Sequence, residues 1–268
     1  MVHQVLPRCR LGFDGASEGD RSNDGEMKRT AMKSYDGSIQ EKARLGSEAN
    51  ANAPSTWRPE ATSDRILFEA ARLFAQRGFH GTSTRQIARN VGVQQPTLFH
   101  HFDSKQAIME HLLVLQFHQA VEYATAMLGA DGSGAARLYS VLRYDLRNVL
   151  KVPHDLSGTV DDYILLGPEF REWGRKLAKL HKVWRALIEE GIREGDFVAY
   201  DASLVELTID GVFKEVIRSA ARHNAEDNVP SPDELVRFML RALLVNPHNL
   251  DKIAAEADHL DEGNPITL

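Results

Sequence analysis

The sequence predicts an all-α protein: a small helical module near the N-terminus, then a larger helical domain. Three observations predict it. From residue 63 onward apolar residues recur at spacings of three and four, and no stretch alternates with period two for long enough to form a strand. The apolar runs are punctuated by helix-starting Ser and Asp and by helix-stopping Gly and Pro. Charge also divides along the chain: residues 61–105 carry six basic and three acidic side chains, whereas the 163 residues after them carry 17 basic and 26 acidic ones. A polyanion would meet the basic module at close range, although the whole chain stands at −6.

Residues 1–60 are rich in Gly, Ser, Asp and Asn, balance nine basic against nine acidic side chains, and show no sustained period. They are predicted to be a disordered extension. Cys9, the single cysteine, excludes an intrachain disulfide and makes a reducing cytoplasm the expected compartment. No apolar run is long enough to span a bilayer, and Arg8 and Arg10 precede no uninterrupted apolar stretch of a secretory signal.

The helices then follow in order. Ser63 and Asp64 start the first, Ile66, Leu67, Ala70, Ala71, Leu73 and Phe74 give it one apolar face, and Gly78 stops it. Ser83-Thr84-Arg85-Gln86 reads as a capping box in which Ser83 and Gln86 satisfy each other's backbone N–H groups. Ile87, Ala88 and Val91 face inward until Gly92 breaks that helix, and a short one begins near Gln95. Ser104 caps a long helix to about Gly129, and a further helix at about 135–151 is closed by Pro153. The helix at about 169–194 places Trp173, Leu177, Leu180, Trp184 and Leu187 on one stripe, with a run of Lys and Arg on its solvated face. Asp201 starts a helix whose apolar residues, from Leu204 to Ile217, spread almost all round it. Ser231-Pro232-Asp233-Glu234 is a second capping box opening a helix to Val245, and a short amphipathic helix around Leu250 and Leu260 closes the chain.

Residues 83–102 thus read as helix, tight turn, helix. Val93, Leu98 and Phe102 hold the second helix down, which leaves Gln94, Gln95, Pro96, Thr97, Phe99 and His100 outward near its N-terminal end. A major groove admits such a helix end: glutamine pairs with the two exposed groups of adenine, and the threonine methyl meets that of thymine. Pro96 lacks an N–H that the first turn would leave unsatisfied.

On these residues the chain resembles the TetR family of transcriptional regulators. STRQIARNVGVQQPTLFHHFDSK follows the family signature closely, the QPTL run is similar to that of the tetracycline repressors, and the resemblance covers residues 62–128. It implies a helix-turn-helix DNA-binding domain over 61–108, extending to about 122, and a helical ligand-binding and dimerisation domain over 109–262. It also implies that Thr84 and Arg85 contact phosphate, that Gln95, Pro96 and Thr97 read bases, and that His101 and Lys105 grip phosphates. Phe99 stands where the family usually has tyrosine, so one phenolic contact to phosphate is lost. The partners implied are double-stranded operator DNA, a second copy of the chain joined through helices at about 202–222 and 232–245, and a small-molecule effector.

For that effector the aromatics Phe117, Tyr123, Tyr139, Tyr144, Tyr163, Trp173 and Trp184, with His118, Arg143, Asp145 and Asp162 as polar contacts, are candidate pocket residues. The expected ligand is small and mostly apolar. No cofactor or metal site is expected. His100 and His101 point about 100° apart, His111 and His118 lie about 10 Å apart, and no H-E-x-x-H or Cys-rich spacing occurs. Nor are the glycine-rich or nucleophile-elbow motifs of enzymes present. The reading is a dimeric, ligand-responsive repressor. Its rivals are an activator or ligand-independent regulator on the same fold, and an all-α enzyme or carrier that keeps a vestigial DNA-binding module.

Overall fold

Several helices begin on a serine or aspartate side chain that satisfies loose backbone N–H groups, and others begin without such a cap. The computed structural model describes residues 61–152, 155–159, 162–165, 167–222 and 230–263, so the expectation for residues 1–60 lies outside it. Among these residues the chain forms α-helices, short 3-10 turns and one isolated antiparallel bridge between Phe197 and Leu244. No described helix is long and apolar enough to cross a membrane.

α1 (Thr62–Arg77) starts one residue earlier than predicted, on Ala61 without a side-chain cap, and ends at Gly78 with φ 72°. α2 (Thr84–Val91) is capped by Ser83, whose hydroxyl accepts from the Gln86 N–H at 3.3 Å; the reciprocal half of the expected box does not form. α3 (Gln95–His101) and α4 (Lys105–Met127) follow, α4 capped by Ser104. α5 (Gly134–Lys151) is capped by Ser133. A 3-10 turn at Leu156–Gly158, the four-residue α6 (Asp162–Leu165) and a second turn at Pro168–Phe170 lead into α7 (Arg171–Glu194). Asp201 caps α8 (Ala202–Arg222), accepting from the N–H groups of Ser203 and Leu204 at 2.8 and 3.1 Å. The predicted Ser231–Glu234 box forms in both directions at the start of α9 (Pro232–Leu243), and α10 (Leu250–Gly263) ends the described chain.

α5 is the hub of the larger domain. Its residues from Gly134 to Leu146 are buried on every side, because α4, α7, α9 and α10 pack around it. Helices approach closely where side chains vanish: a Cβ on Gly134 would stand 2.7 Å from the Gly191 nitrogen of α7. α4 serves both parts of the chain, packing on α1 near its start and on α5 and α7 beyond. The turn at Leu156–Gly158 lies between α1 and α8, and a Cβ on Gly158 would come within 2.7 Å of the α1 backbone at Phe74 and Ala75.

Arg143 fastens the C-terminal helices to that hub. Its side chain is 4% exposed and reaches Asp258 at 2.6 Å, Asp261 at 2.7 Å and Asp233 at 3.3 Å. Tyr139 donates to Asp233 at 2.7 Å and Tyr123 to Asp261 at 2.6 Å. These residues, expected as pocket polar groups and aromatics, are a structural clamp instead. Arg143→Met keeps the stem but takes the guanidinium from three carboxylates, of which Asp233 retains Tyr139 and Arg237, and Asp261 retains Tyr123. Because these carboxylates are partly solvated, the expected loss is about 2 kcal/mol, below the cost of a fully buried broken pair. It would be read as a lower urea midpoint at unchanged slope and fixed protein concentration.

Candidate nucleic-acid interface

The corner between α2 and α3 is set by Gly92, whose φ of 78° and ψ of 30° lie in the left-handed region. The Val93 N–H closes α2 on the Ala88 carbonyl at 3.0 Å, and Arg65 reaches from α1 to the Val91 carbonyl at 3.3 Å. Three helices are thereby locked around one turn. Leu98 is fully buried and Phe102 is 4% exposed, so the inner face of α3 is anchored as the sequence predicts. Its outer face presents Gln94, Pro96, Thr97, Phe99, His100 and His101, all exposed. Phe99 is 42% exposed, a large apolar ring partly open to water on that face. Arg85 is exposed on α2, and Arg89, one turn on, extends that basic edge; its spacing from Arg85 was the signal that sequence reasoning passed over.

Two expected contacts are arranged differently. Gln95 is half-buried rather than outward, because its Nε2 donates to Thr84 Oγ1 at 3.2 Å. Thr84 and Gln95 therefore hold one another in the unbound chain, and Gln95 must swing away to reach a base. Lys105 is the second correction. Its ammonium donates to the carbonyls of Phe79 at 2.6 Å and Thr82 at 2.8 Å and lies 4.2 Å over the Phe79 ring. Burial, opposed by the Glu169 charge, lowers its pKa. With two of three donors engaged, Lys105 mainly ties the turn after α1 to the start of α4, and a phosphate would find only the third.

Below this surface lies a narrow cavity of about 30 Å³ between α4, α5, α7 and α8. Of the expected pocket residues it brings together Phe117, Asp145 and Trp184. It does not include the others. Tyr144 stacks parallel on Tyr123 at 3.9 Å inside the core. Trp173 is buried elsewhere with Lys176 3.8 Å over its ring. The His118 side chain is 31% exposed and 3.8 Å from Glu122, so it is neither pocket nor core. The side chains of Asp162 and Tyr163 lie outside the described set. The cavity instead takes in Gln116, His181, Asp210 and Lys214, of which Gln116 was legible as a polar residue on the apolar stripe of α4.

The polar wall is mostly paired. Lys214 meets Asp210 at 2.7 Å, His181 lies 3.1 Å from Glu206 and 3.4 Å from Asp210, and Arg185 also bonds Glu206. Asp145 differs: it is 5% exposed, no hydrogen bond or ion pair reaches it among the described residues, and burial pushes its carboxyl up to about 7. Gln116 accepts from the Thr159 hydroxyl, so the cavity wall is bonded to the residue that follows the Leu156–Gly158 turn.

Comparison with known proteins agrees with this geometry. Residues 66–112, from α1 into the first turns of α4, match the family described as bacterial regulatory proteins, tetR family. The chain is 26% identical over 153 residues to the HTH-type transcriptional repressor KstR2 of Mycolicibacterium smegmatis, covering 54% of this chain and 72% of that one. Among solved structures, AmtR of Mycobacterium smegmatis aligns with a TM-score of 0.65 at 28% identity, over 80% of this chain and 100% of AmtR. AibR, solved with isovaleryl coenzyme A and operator DNA, aligns at 0.53 with 17% identity over 70% of this chain and 99% of its own, a shared fold.

Proposed function

We propose that the chain is a transcriptional regulator of the TetR kind, a dimeric repressor whose α3 reads a pseudo-palindromic operator and whose cavity admits a small effector that releases the DNA; the match of residues 66–112 and the similarity to KstR2 and AmtR support this reading. The observation that carries the reading is α3 itself. Its inner face is pinned by Leu98 and Phe102 while Pro96, Thr97, Phe99 and His100 stand in solvent on a helix of seven residues. A core has no use for that set, and a major groove does.

Dimerisation is supported by α8 and α9. α8 buries Val205, Ile209, Phe213, Val216 and Ile217 in its own domain, yet leaves Leu204 58% and Leu207 66% exposed on another face. On α9 Phe238 is 73% exposed, with Ala242 one turn on and Val245 just past the helix end. Such faces need burial against a second copy. Two copies present two recognition helices, and half-sites one helical turn apart or a multiple of it follow from the symmetry.

Release is a population shift: the effector binds best to a dimer whose recognition helices no longer fit successive grooves. α4 joins the two parts. The Gln116–Thr159 bond and the Leu156–Gly158 turn against α1 offer a second, shorter route from cavity to DNA-binding helices.

The test is fluorescence anisotropy on tiled DNA from upstream of the gene, at two salt concentrations, with Thr97→Ala as comparison. One tile should bind tightly, and the variant should lose about tenfold there, the worth of one base contact. Weak binding to every tile, steep in salt and indifferent to Thr97, would leave only attraction to phosphate and end the proposal.

A further inference from the structure

We propose that the cavity selects an organic cation, a compact aromatic or aliphatic amine whose ammonium group pairs with Asp145. The inference rests on the reading of this cavity as the effector site and adds the chemical class that it takes.

The charges on and behind the cavity wall are mostly paired. On the wall Lys214 pairs with Asp210 at 2.7 Å, and behind it Arg185 pairs with Glu206, with the His181 ring between the two carboxylates. After those pairings one carboxyl is left over. Asp145 lines the cavity from the middle of α5, is 5% exposed, and takes part in no hydrogen bond or ion pair among the described residues, while the Trp184 indole N–H on the same wall is likewise unpaired. A buried carboxyl is costly unless neutralised or hydrogen-bonded, so a site that keeps one unpaired fits a ligand that brings the missing donor.

The remaining wall says what the rest of that ligand is. Phe117, Trp184 and Phe213 supply aromatic faces, and Leu177, Leu180 and Ile217 supply aliphatic ones. Rings around a carboxylate favour a cation twice, by charge pairing and by attraction to the ring faces. An anion fares worst: Lys214 is already held at 2.7 Å by Asp210, and no cation is free among the described lining residues to offset Asp145. A neutral alcohol would gain the hydrogen bond without the charge. The raised pKa of Asp145 fits the same picture, since an arriving ammonium would restore the ionised form that burial disfavours.

Size gives the site its leverage. A space of about 30 Å³ holds a water-sized group, not a ring. An aromatic amine must part the walls, and one of them, Gln116, is bonded to Thr159 beside the turn that abuts α1.

Three probes that share a benzyl or phenyl ring but differ in charge test this: benzylamine, benzyl alcohol and benzoate, titrated calorimetrically into the full chain. Benzylamine should bind about tenfold or more tightly than the alcohol, the worth of one desolvated charge pair, and benzoate should not bind. In Asp145→Asn, an isosteric change, the amine's advantage should vanish while alcohol binding stays within about twofold. The proposal is overturned if the alcohol or benzoate matches the amine, if the preference survives Asp145→Asn, or if none of the three binds. The comparison among probes in the unmodified chain stands even if the variant folds poorly. Operator anisotropy in parallel separates the two readings: Asp145-dependent amine binding with unchanged operator affinity upholds the inference and defeats effector-driven release.

Discussion

Asp145→Asn is expected to stabilise the folded protein, and far more at pH 8 than at pH 5. Burial raises the folded-state pKa from the ordinary 3.8 to about 7. A carboxyl with a raised folded pKa contributes most favourably below its unfolded value, and that contribution is lost as pH rises through the folded one. The wild type should therefore weaken between about pH 4 and pH 7, where the unfolded chain sheds this proton and the folded chain keeps it. The full span is at most about 4 kcal/mol, of which about 2–3 kcal/mol falls between pH 5 and pH 8. Asparagine removes the titration at nearly constant shape. Urea unfolding at both pH values and one protein concentration should show the variant gaining most at pH 8. An equal effect at the two values would mean that Asp145 keeps an ordinary pKa and has a partner. The effector site would then be storing instability that a bound cation relieves, in line with functional groups held at the expense of stability.

The DNA-binding half was legible because its chemistry is local. Ser83, Gly92, Pro96 and Ser104 each act on backbone groups within four residues, so their order along the chain fixes the two helices and the corner. The same holds for Ser231 and Glu234, whose two-way cap forms as expected. Contacts between distant segments were not legible. Nothing near Lys105 announces that the Phe79 and Thr82 carbonyls will take its ammonium, 26 and 23 residues away. Periodicity could place Tyr123, Tyr139, Trp173 and Trp184 on buried faces, but it does not distinguish a face that meets another helix from one that borders a cavity. Only Trp184 of these four reaches the cavity; Tyr123 and Tyr139 spend their hydroxyls on Asp261 and Asp233 of the C-terminal helices. Asp145 was one of four candidate polar contacts in the sequence, beside His118, Arg143 and Asp162, and only the packing around α5 separates it from the rest.

The other large effect is expected at the proposed dimer face. In the pair Leu207→Asp and Phe238→Asp, each change removes a side chain that is 66% or 73% exposed in one copy and that the symmetric interface would bury. Burying a leucine or phenylalanine stabilises by about 1.5–3 kcal/mol, and two-fold symmetry counts every site twice. Either single change should then raise the dimer dissociation constant by roughly 10²–10⁴, before the cost of placing two carboxylates in an apolar seam is added. Sedimentation equilibrium would read the loss as a shift to monomer, with helicity retained because the inward residues Val205, Ile209 and Phe213 of α8 and Val236, Met239 and Leu240 of α9 are untouched. Leu128→Asp is the matched control: it is a 42% exposed leucine at the end of α4, outside the proposed face, and should leave the mass unchanged. Operator affinity should fall with the dimer, since one α3 alone engages one half-site and forfeits the tethering of the second. A variant that turns monomeric yet binds the full operator as before would show that the two recognition helices do not act together. A variant that stays dimeric would place the interface on a surface other than α8 and α9.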